Sequence, residues 1–263
     1  MRKVSPIFLL GSGRSGTTLL MKILNSVDEI MLYGEHGGFL KQIAESYFFN
    51  FINDEIKQRI KKEKEPDSVF VKKTVYKIGY SWLHWYGKET IKKNYRMFIE
   101  SFFNPDKLSK RVFWGFKEIR YGIDDRVPEM LIDLYPKARF ILIIREPIDV
   151  IASQLVMGKW GNLNEIVGNW VSQNTYMYKF YTNHRDNCFL IRYEEMISRD
   201  SNGLKELFDW LGFEISAKQY NVVDIKEGIW KVTREDGESH RAMFSNRQAR
   251  KIRIKTKIWD NDL

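Results

Sequence analysis

The stretch Leu9-Leu10-Gly11-Ser12-Gly13-Arg14-Ser15-Gly16-Thr17-Thr18 constrains the fold more than any other part of the chain. Before it, Val4–Leu10 is a short apolar run that reads as a buried strand ended by Gly11. After it, Leu20, Ile23, Leu24 and Val27 give Thr17–Val27 a helical spacing. Strand, glycine loop and helix form a unit that points backbone N–H groups and a helix N-terminus at an anion. A nucleotide-binding loop of the form G-x-x-x-x-G-K-[ST] carries a lysine that grips the β- and γ-phosphates. Here Thr17 stands in the lysine's place, and Arg14 supplies positive charge from inside the loop. The missing lysine argues against a triphosphate, and no clear acidic strand end stands ready to hold a metal. What remains is the row of N–H groups from Gly13 to Thr18, the hydroxyls of Ser15, Thr17 and Thr18, and the Arg14 guanidinium. These suit an anion of lower charge that needs no metal, such as a sulfonate attached to a nucleotide phosphate. Taken alone, the loop also fits a plain strand-to-helix turn.

Strand and helix alternate along most of the remaining chain. Ile30–Tyr33, Val112–Phe116, Arg139–Ile144 and Phe189–Arg192 read as strands. The near-continuous apolar run Arg139–Ile144 suits a parallel strand covered on both faces. Helices are expected over Val127–Tyr135, from Pro147 onward, and over Leu163–Tyr181, Lys205–Leu211 and Ala217–Val223. The expected fold class is α/β: a three-layer fold like that of P-loop proteins, with a central, mainly parallel sheet flanked by helices. A helical insertion at about 38–110, rich in aromatics such as Trp82, Trp85 and Tyr86, falls within a single domain over 1–263 and is expected on the acceptor side. Most of these aromatics read as core, and a few as the lining of a sugar groove.

The length of 263 residues and the 43% apolar content supply a core for one domain. No apolar run is long enough to span a bilayer, and the opening Met1-Arg-Lys-Val-Ser-Pro leads straight into the first strand. A cytoplasmic chain without a transmembrane segment is therefore expected, and with it a bacterial origin. The single cysteine, Cys188, excludes an internal disulfide and reads as a small core residue. The net charge of +9 favours anionic partners. It is uneven: Arg241–Lys257 carries many basic residues and no acid. That stretch reads either as an exposed basic tail or as a lid over an anionic ligand, with Arg247, Arg250 and Lys251 as its candidates.

A second constellation lies more than a hundred residues on. Arg145 follows a buried strand, at the carboxyl edge where open α/β sheets bind ligands. Ser153 lies about two turns along the next helix. Guanidinium and hydroxyl could share one phosphate there, the arginine in bidentate fashion. The alternative pairs Arg145 with Glu146 or Asp149 and leaves Ser153 to pack.

Together these segments resemble the PAPS-dependent sulfotransferase family, PAPS being 3′-phosphoadenosine 5′-phosphosulfate. "FLLGSGRSGTTLL" is similar to that family's 5′-phosphosulfate loop, "ARFILIIREPIDVIASQL" to its 3′-phosphate motif, and "IRYEEMI" to its Arg-Tyr-Glu-Asp-Leu segment. "WGFKE" resembles the strand-end lysine of its bacterial, glycan and tyrosyl-protein branches. The motifs span residues 6 to about 199 in the family's order; from Asn202 onward no alignment is evident.

The resemblance implies transfer of the sulfonate of PAPS to an acceptor hydroxyl, with adenosine 3′,5′-bisphosphate as product and no metal required. It implies donor contacts from Gly13, Arg14, Ser15, Gly16, Thr17, Thr18, Arg145 and Ser153. Tyr193 is placed near adenine and loop by the resemblance, and reads equally as a core tyrosine. Tyr33-Gly34-Glu35 matches the Gly-Glu step at which tyrosyl-protein and several bacterial members place a catalytic glutamate. Glu35 is accordingly the expected general base, with His36 as rival and helix capping as the structural alternative. Lys117 and Arg14 complete the catalytic set: Lys117 to neutralise the leaving oxygen, unless it pairs at the surface with Glu118, and Arg14 to stabilise the group in transfer. The acceptor implied is a hydroxyl of a carbohydrate, glycolipid or other glycoconjugate. A kinase with a degenerate loop is the runner-up. A non-catalytic nucleic-acid binder using the basic terminus is the third reading, and the paired 5′ and 3′ motifs speak against it.

Overall fold

A computed structural model of the chain describes residues 5–52, 87–105, 112–224 and 244–256. Five strands form one sheet: β1 (Ser5–Gly11), β2 (Ile30–Tyr33), β3 (Phe113–Glu118), β4 (Arg139–Ile144) and β5 (Cys188–Arg192). Their order is β2-β3-β1-β4-β5, and every pairing is parallel. The first strand lies in the centre. On one side the chain first lays β2 at the edge and then inserts β3 between it and β1, before crossing to the other side for β4 and β5. The carboxyl end of β1 is thus the switch point at which sheets of this kind bind ligands.

Alternation along each strand sorts the side chains into two cores. Phe8, Leu10, Trp114, Phe116, Phe140 and Leu142 face one side. They pack there with α2 (Leu40–Ile52), α3 (Lys88–Phe103), α4 (Val127–Leu134) and α6 (Leu163–Asn183). Ile7, Leu9, Phe113, Ile141 and Ile143 face the other, against α1 (Thr17–Asn25) and α8 (Gly203–Leu211). Each large apolar side chain withdrawn from water contributes roughly 1.5–3 kcal/mol. Burial on both faces explains the unbroken hydrophobic run in β4. This is the three-layer α/β arrangement expected from the sequence.

The described part of the 38–110 segment is α2 and α3, and both enter the first core through Tyr47, Ile99 and Phe103. Trp82, Trp85 and Tyr86 lie outside the described residues. Three shorter readings change. The third strand runs two residues further, so Lys117 lies within it and Glu118 ends it. A short helix, α7 (Tyr193–Ile197), follows β5 directly. The described part of the basic terminus is a helix, α10 (Asn246–Lys255), rather than a loose tail. Its Ile252 and the preceding Phe244 pack on Ile148, Ile151 and Ala152 of α5 (Pro147–Met157). The last assigned helix of the second face is α9 (Ala217–Asp224). Among the described residues, no helix is long and apolar enough to cross a membrane.

Candidate functional site

The loop between β1 and α1 turns at the centre of the sheet's carboxyl edge. Arg14 and Gly16 both adopt left-handed backbone, with φ of 73° and 95°. For arginine this costs roughly 1–3 kcal/mol and persists only where surrounding contacts impose it. Ser12 and Ser15 are buried, and Ser15 spends both donors on the loop: its N–H and its hydroxyl go to the Ser12 carbonyl, at 3.2 and 2.7 Å. In this arrangement the hydroxyl braces the loop. Gly16, Thr17 and Thr18 open α1, where the first N–H groups of a helix have no intrahelical acceptor. A Cβ on Gly16 would lie 2.4 Å from the Tyr193 ring, so the tyrosine wedges against the loop. Behind the loop, the buried Gln154 amide donates to the Gly13 carbonyl at 2.8 Å.

The two distant motifs meet here. Arg14 Nε donates to Ser153 Oγ at 2.9 Å. Arg145 follows β4 and donates through Nη1 to the Arg14 carbonyl at 3.2 Å. Its guanidinium lies over the Tyr193 ring, 4.3 Å from the centroid, and stands 4.0 Å from an Asp149 oxygen. Arg145 Nε is buried and has no hydrogen-bond acceptor. Burial, and secondly the neighbouring Arg145 charge, push the Arg14 guanidinium below its ordinary value. Two cations held this close, with one carboxylate, Asp149, at 4.0 Å and one buried donor unspent, leave positive charge for a bound anion. The group fits the phosphate-bearing donor that the sequence implies.

On the opposite side of the loop, Lys117 is almost wholly buried. Its Nζ reaches Glu35 Oε1 at 2.5 Å and Thr18 Oγ1 at 3.2 Å. The second Glu35 oxygen accepts from Arg120 Nη1 at 2.9 Å. The expected acid and lysine are therefore one ion pair, at the entrance of α1. Lys117 and Glu118 project to opposite faces of β3, which is why they do not pair. His36, the rival base, sits among the rings of Phe39, Phe103 and Phe116, with Nε2 2.9 Å from the Tyr121 hydroxyl. Burial lowers its affinity for a proton, although Glu118 acts in the other direction. It is an enclosed ring, packed against Phe116 and bonded to Tyr121.

Glu118, read from sequence only as a possible partner of Lys117, is a buried acid at a strand end. Burial alone would raise its carboxyl, but hydrogen bonds from the Ile119 N–H and the Arg120 guanidinium hold it below the ordinary carboxylate range. Gln154 was likewise not assigned from sequence, since it acts on chain 141 residues away, and Arg120 was given no fixed role; it bonds both its near neighbour Glu118 and the distant Glu35. Of the basic terminus, Arg250 and Lys251 lie exposed on α10, which packs on the helix bearing Ser153.

Comparison with solved structures gives the fold a firm place. The olefin synthase sulfotransferase domain of Synechococcus PCC 7002 aligns over 100% of this chain and 97% of its own, with 17% identity and a TM-score of 0.61. The sulfotransferase domain from the curacin biosynthetic pathway aligns over 100% and 93%, with 19% identity and a TM-score of 0.53. Mouse sulfotransferase SULT7A1, solved in complex with PAP, aligns over 98% and 85%, with 15% identity and a TM-score of 0.52. Comparison with curated proteins finds no match. The family model described as "Sulfotransferase family" matches residues 126–217. The family resemblance thus rests on that segment, and the fold is one shared with solved sulfotransferases. The matched segment holds Arg145, Ser153 and Tyr193. The loop 13–18, Glu35 and Lys117 lie outside it and join the site through the fold.

Proposed function

We propose that this chain transfers the sulfonate of PAPS to a hydroxyl of a carbohydrate or glycoconjugate, with Glu35 as general base. The observation that carries this reading is the meeting of Arg14, Arg145 and Ser153 at a glycine loop whose far side holds the Glu35–Lys117 pair. Cation pair and base thus flank one short helix entrance.

The donor supplies an activated sulfonate on a nucleotide phosphate. The acceptor oxygen forms its bond to sulfur as the sulfur–oxygen bond to the phosphate breaks, and adenosine 3′,5′-bisphosphate leaves with the electron pair. Glu35 takes the proton of the acceptor hydroxyl. Its two cationic neighbours, Lys117 and Arg120, orient the carboxylate, and Lys117 lies close enough to Thr18 to offset charge gathering at the loop. Arg14 and the first N–H groups of α1 stabilise the group in transfer. Arg145 and Ser153 hold the 3′-phosphate. Gly13 gives the loop close backbone approach, and Tyr193 holds Gly16 and Arg145 in place. Catalysis of this kind is mostly positioning and electrostatics, as in phosphoryl transfer. No step here calls on a metal.

Support for a glycan acceptor comes from the ring surface beside the base loop. Phe39 packs on Phe98 and Phe102, which are 40% and 51% exposed. Such faces suit the C–H side of a sugar ring. The test is transfer of label from ³⁵S-PAPS across capsule, O-antigen, glycolipid and peptide hydroxyls. A labelled glycan or glycolipid supports the proposal. Label only on peptide, or phosphate transfer from Mg-ATP in place of sulfonate, refutes it.

A further inference from the structure

The segment after β2 straddles the end of β3. Successive residues of a strand face opposite ways, so Lys117 and Glu118 leave that end on different sides. On the Lys117 side the segment delivers Glu35. On the Glu118 side it delivers two backbone N–H groups: those of His36 and Gly38 donate to Glu118 Oε2 at 3.2 and 2.9 Å. Gly37 and Gly38 both have φ of 73°, which turns the chain toward the carboxylate. The other oxygen, Oε1, accepts from the Ile119 N–H at 2.8 Å and from Arg120 Nη1 at 2.7 Å. The same Arg120 nitrogen reaches Glu35 Oε2 at 2.9 Å.

Four donors thus converge on one carboxylate that is only 1% exposed and touches neither the loop nor its anion site. Two of the four sit directly beside Glu35 in sequence or bond to it through Arg120. A buried carboxylate is costly unless fully hydrogen-bonded, and here three of the four bonds, those to His36, Gly38 and Arg120, also fix the base segment. We infer that Glu118 is a positioning residue: it clamps the Gly34–Gly38 turn and the Arg120 guanidinium, and so holds Glu35 against Lys117. The inference rests on the reading of Glu35 as base. It also explains why an acid occupies the strand end without serving a metal, since its acceptor sites are taken by the chain's own donors.

Glu118→Gln is the informative change. A primary amide offers one acceptor oxygen and one NH₂ donor. Whichever way it turns, its NH₂ faces either the His36 and Gly38 amides or the Ile119 amide and Arg120. The test is residue-resolved amide hydrogen exchange on the full chain, paired with turnover of PAPS read as release of adenosine 3′,5′-bisphosphate with water as acceptor. In E118Q the His36 and Gly38 amides are expected to exchange at least about tenfold faster while β1 and β4 keep their rates. Turnover should fall by about 10²-fold, as a misplaced base gives. In a Glu35→Gln background E118Q should add no further loss, because a residue acting through Glu35 then has nothing to position. Unchanged exchange at His36 and Gly38, or a full additional loss in that background, would overturn the inference. Should E118Q fail to fold, Arg120→Met takes its place in the cycle, and fully multiplying losses overturn it equally. Undiminished turnover in E35Q alone refutes the base, not the clamp, which hydrogen exchange still decides.

Discussion

Arg14 Nε and Ser153 Oγ lie 2.9 Å apart, although 139 residues separate them in the chain. This bond joins the glycine loop after the central strand to the helix after its neighbour. It brings together two sequence motifs that are each ambiguous alone.

Removing that hydroxyl should weaken the site without unfolding the protein. Ser153→Ala is expected to lower affinity for adenosine 3′,5′-bisphosphate by about tenfold, the worth of one hydrogen bond to a charged group. Arg145→Ala should cost about 10²-fold or more, since it removes charge and bidentate capacity together. Fluorescence-monitored binding and thermal unfolding, run on the same samples, separate lost binding from lost structure.

Gly16 admits no side chain. A Cβ would meet the Tyr193 ring at 2.4 Å, in a backbone conformation that L-residues resist. Gly16→Ala should destabilise by about 1–3 kcal/mol and abolish bisphosphate binding. Tyr193→Phe, which keeps the ring under Arg145 and against Gly16, should behave close to wild type in both respects. Chemical denaturation of the two variants checks the contrast.

Transfer chemistry should be separable from donor binding. Glu35→Gln is expected to cut turnover about 10²–10⁴-fold, the range for loss of a placed general base, while bisphosphate affinity changes little. Lys117→Met should also reduce turnover by about 10²-fold, because it removes a buried cation from both Glu35 and Thr18. Turnover and binding measured side by side give the split.

Stability should fall on mild acidification, and the sign follows from His36. Its folded-state proton affinity is lowered by burial, so between the ordinary value of 6.5 and the folded one the unfolded chain binds the extra proton. The stabilisation is complete above pH 6.5 and is lost as pH falls through the folded value. Glu118, also held low, adds a second loss once pH drops below its ordinary 4.5. The groups around the imidazole are Glu118, Arg120, Glu35 and the Tyr121 hydroxyl. Melting curves from pH 7.5 to 5 should show Tm declining in wild type and a flatter profile in His36→Asn.

Much of this was legible in the chain itself, for physical reasons that can be named. The run Phe140–Ile144 reads as a strand because both of its faces are buried, and Pro147 marks the next helix because its missing N–H costs nothing at the first turn. The place of the loop and of Arg145 at the sheet's carboxyl edge was readable because each directly follows an apolar strand. Glu118 was not readable, since its donors at His36 and Gly38 lie 80 or more positions upstream and meet it only after β2 pairs with β3. The bond from the Ser15 hydroxyl to the Ser12 carbonyl was not legible either, because a loop hydroxyl can serve ligand or loop. The helix over Asn246–Lys255 did leave a signal: Ser245 and Gln248 form a capping box, with Gln248 N–H to Ser245 Oγ at 3.4 Å and Ser245 N–H to Gln248 Oε1 at 3.0 Å.

The central claim is that Arg14, Arg145 and Ser153 form a nucleotide-bisphosphate site that works without metal. Calorimetric titration of the wild-type chain with adenosine 3′,5′-bisphosphate, in chelator and again with added Mg²⁺, tests it most directly. The account predicts one-to-one binding of the same affinity in both conditions. A folded protein that shows no heat of binding, or that binds only with Mg²⁺ present, would contradict it.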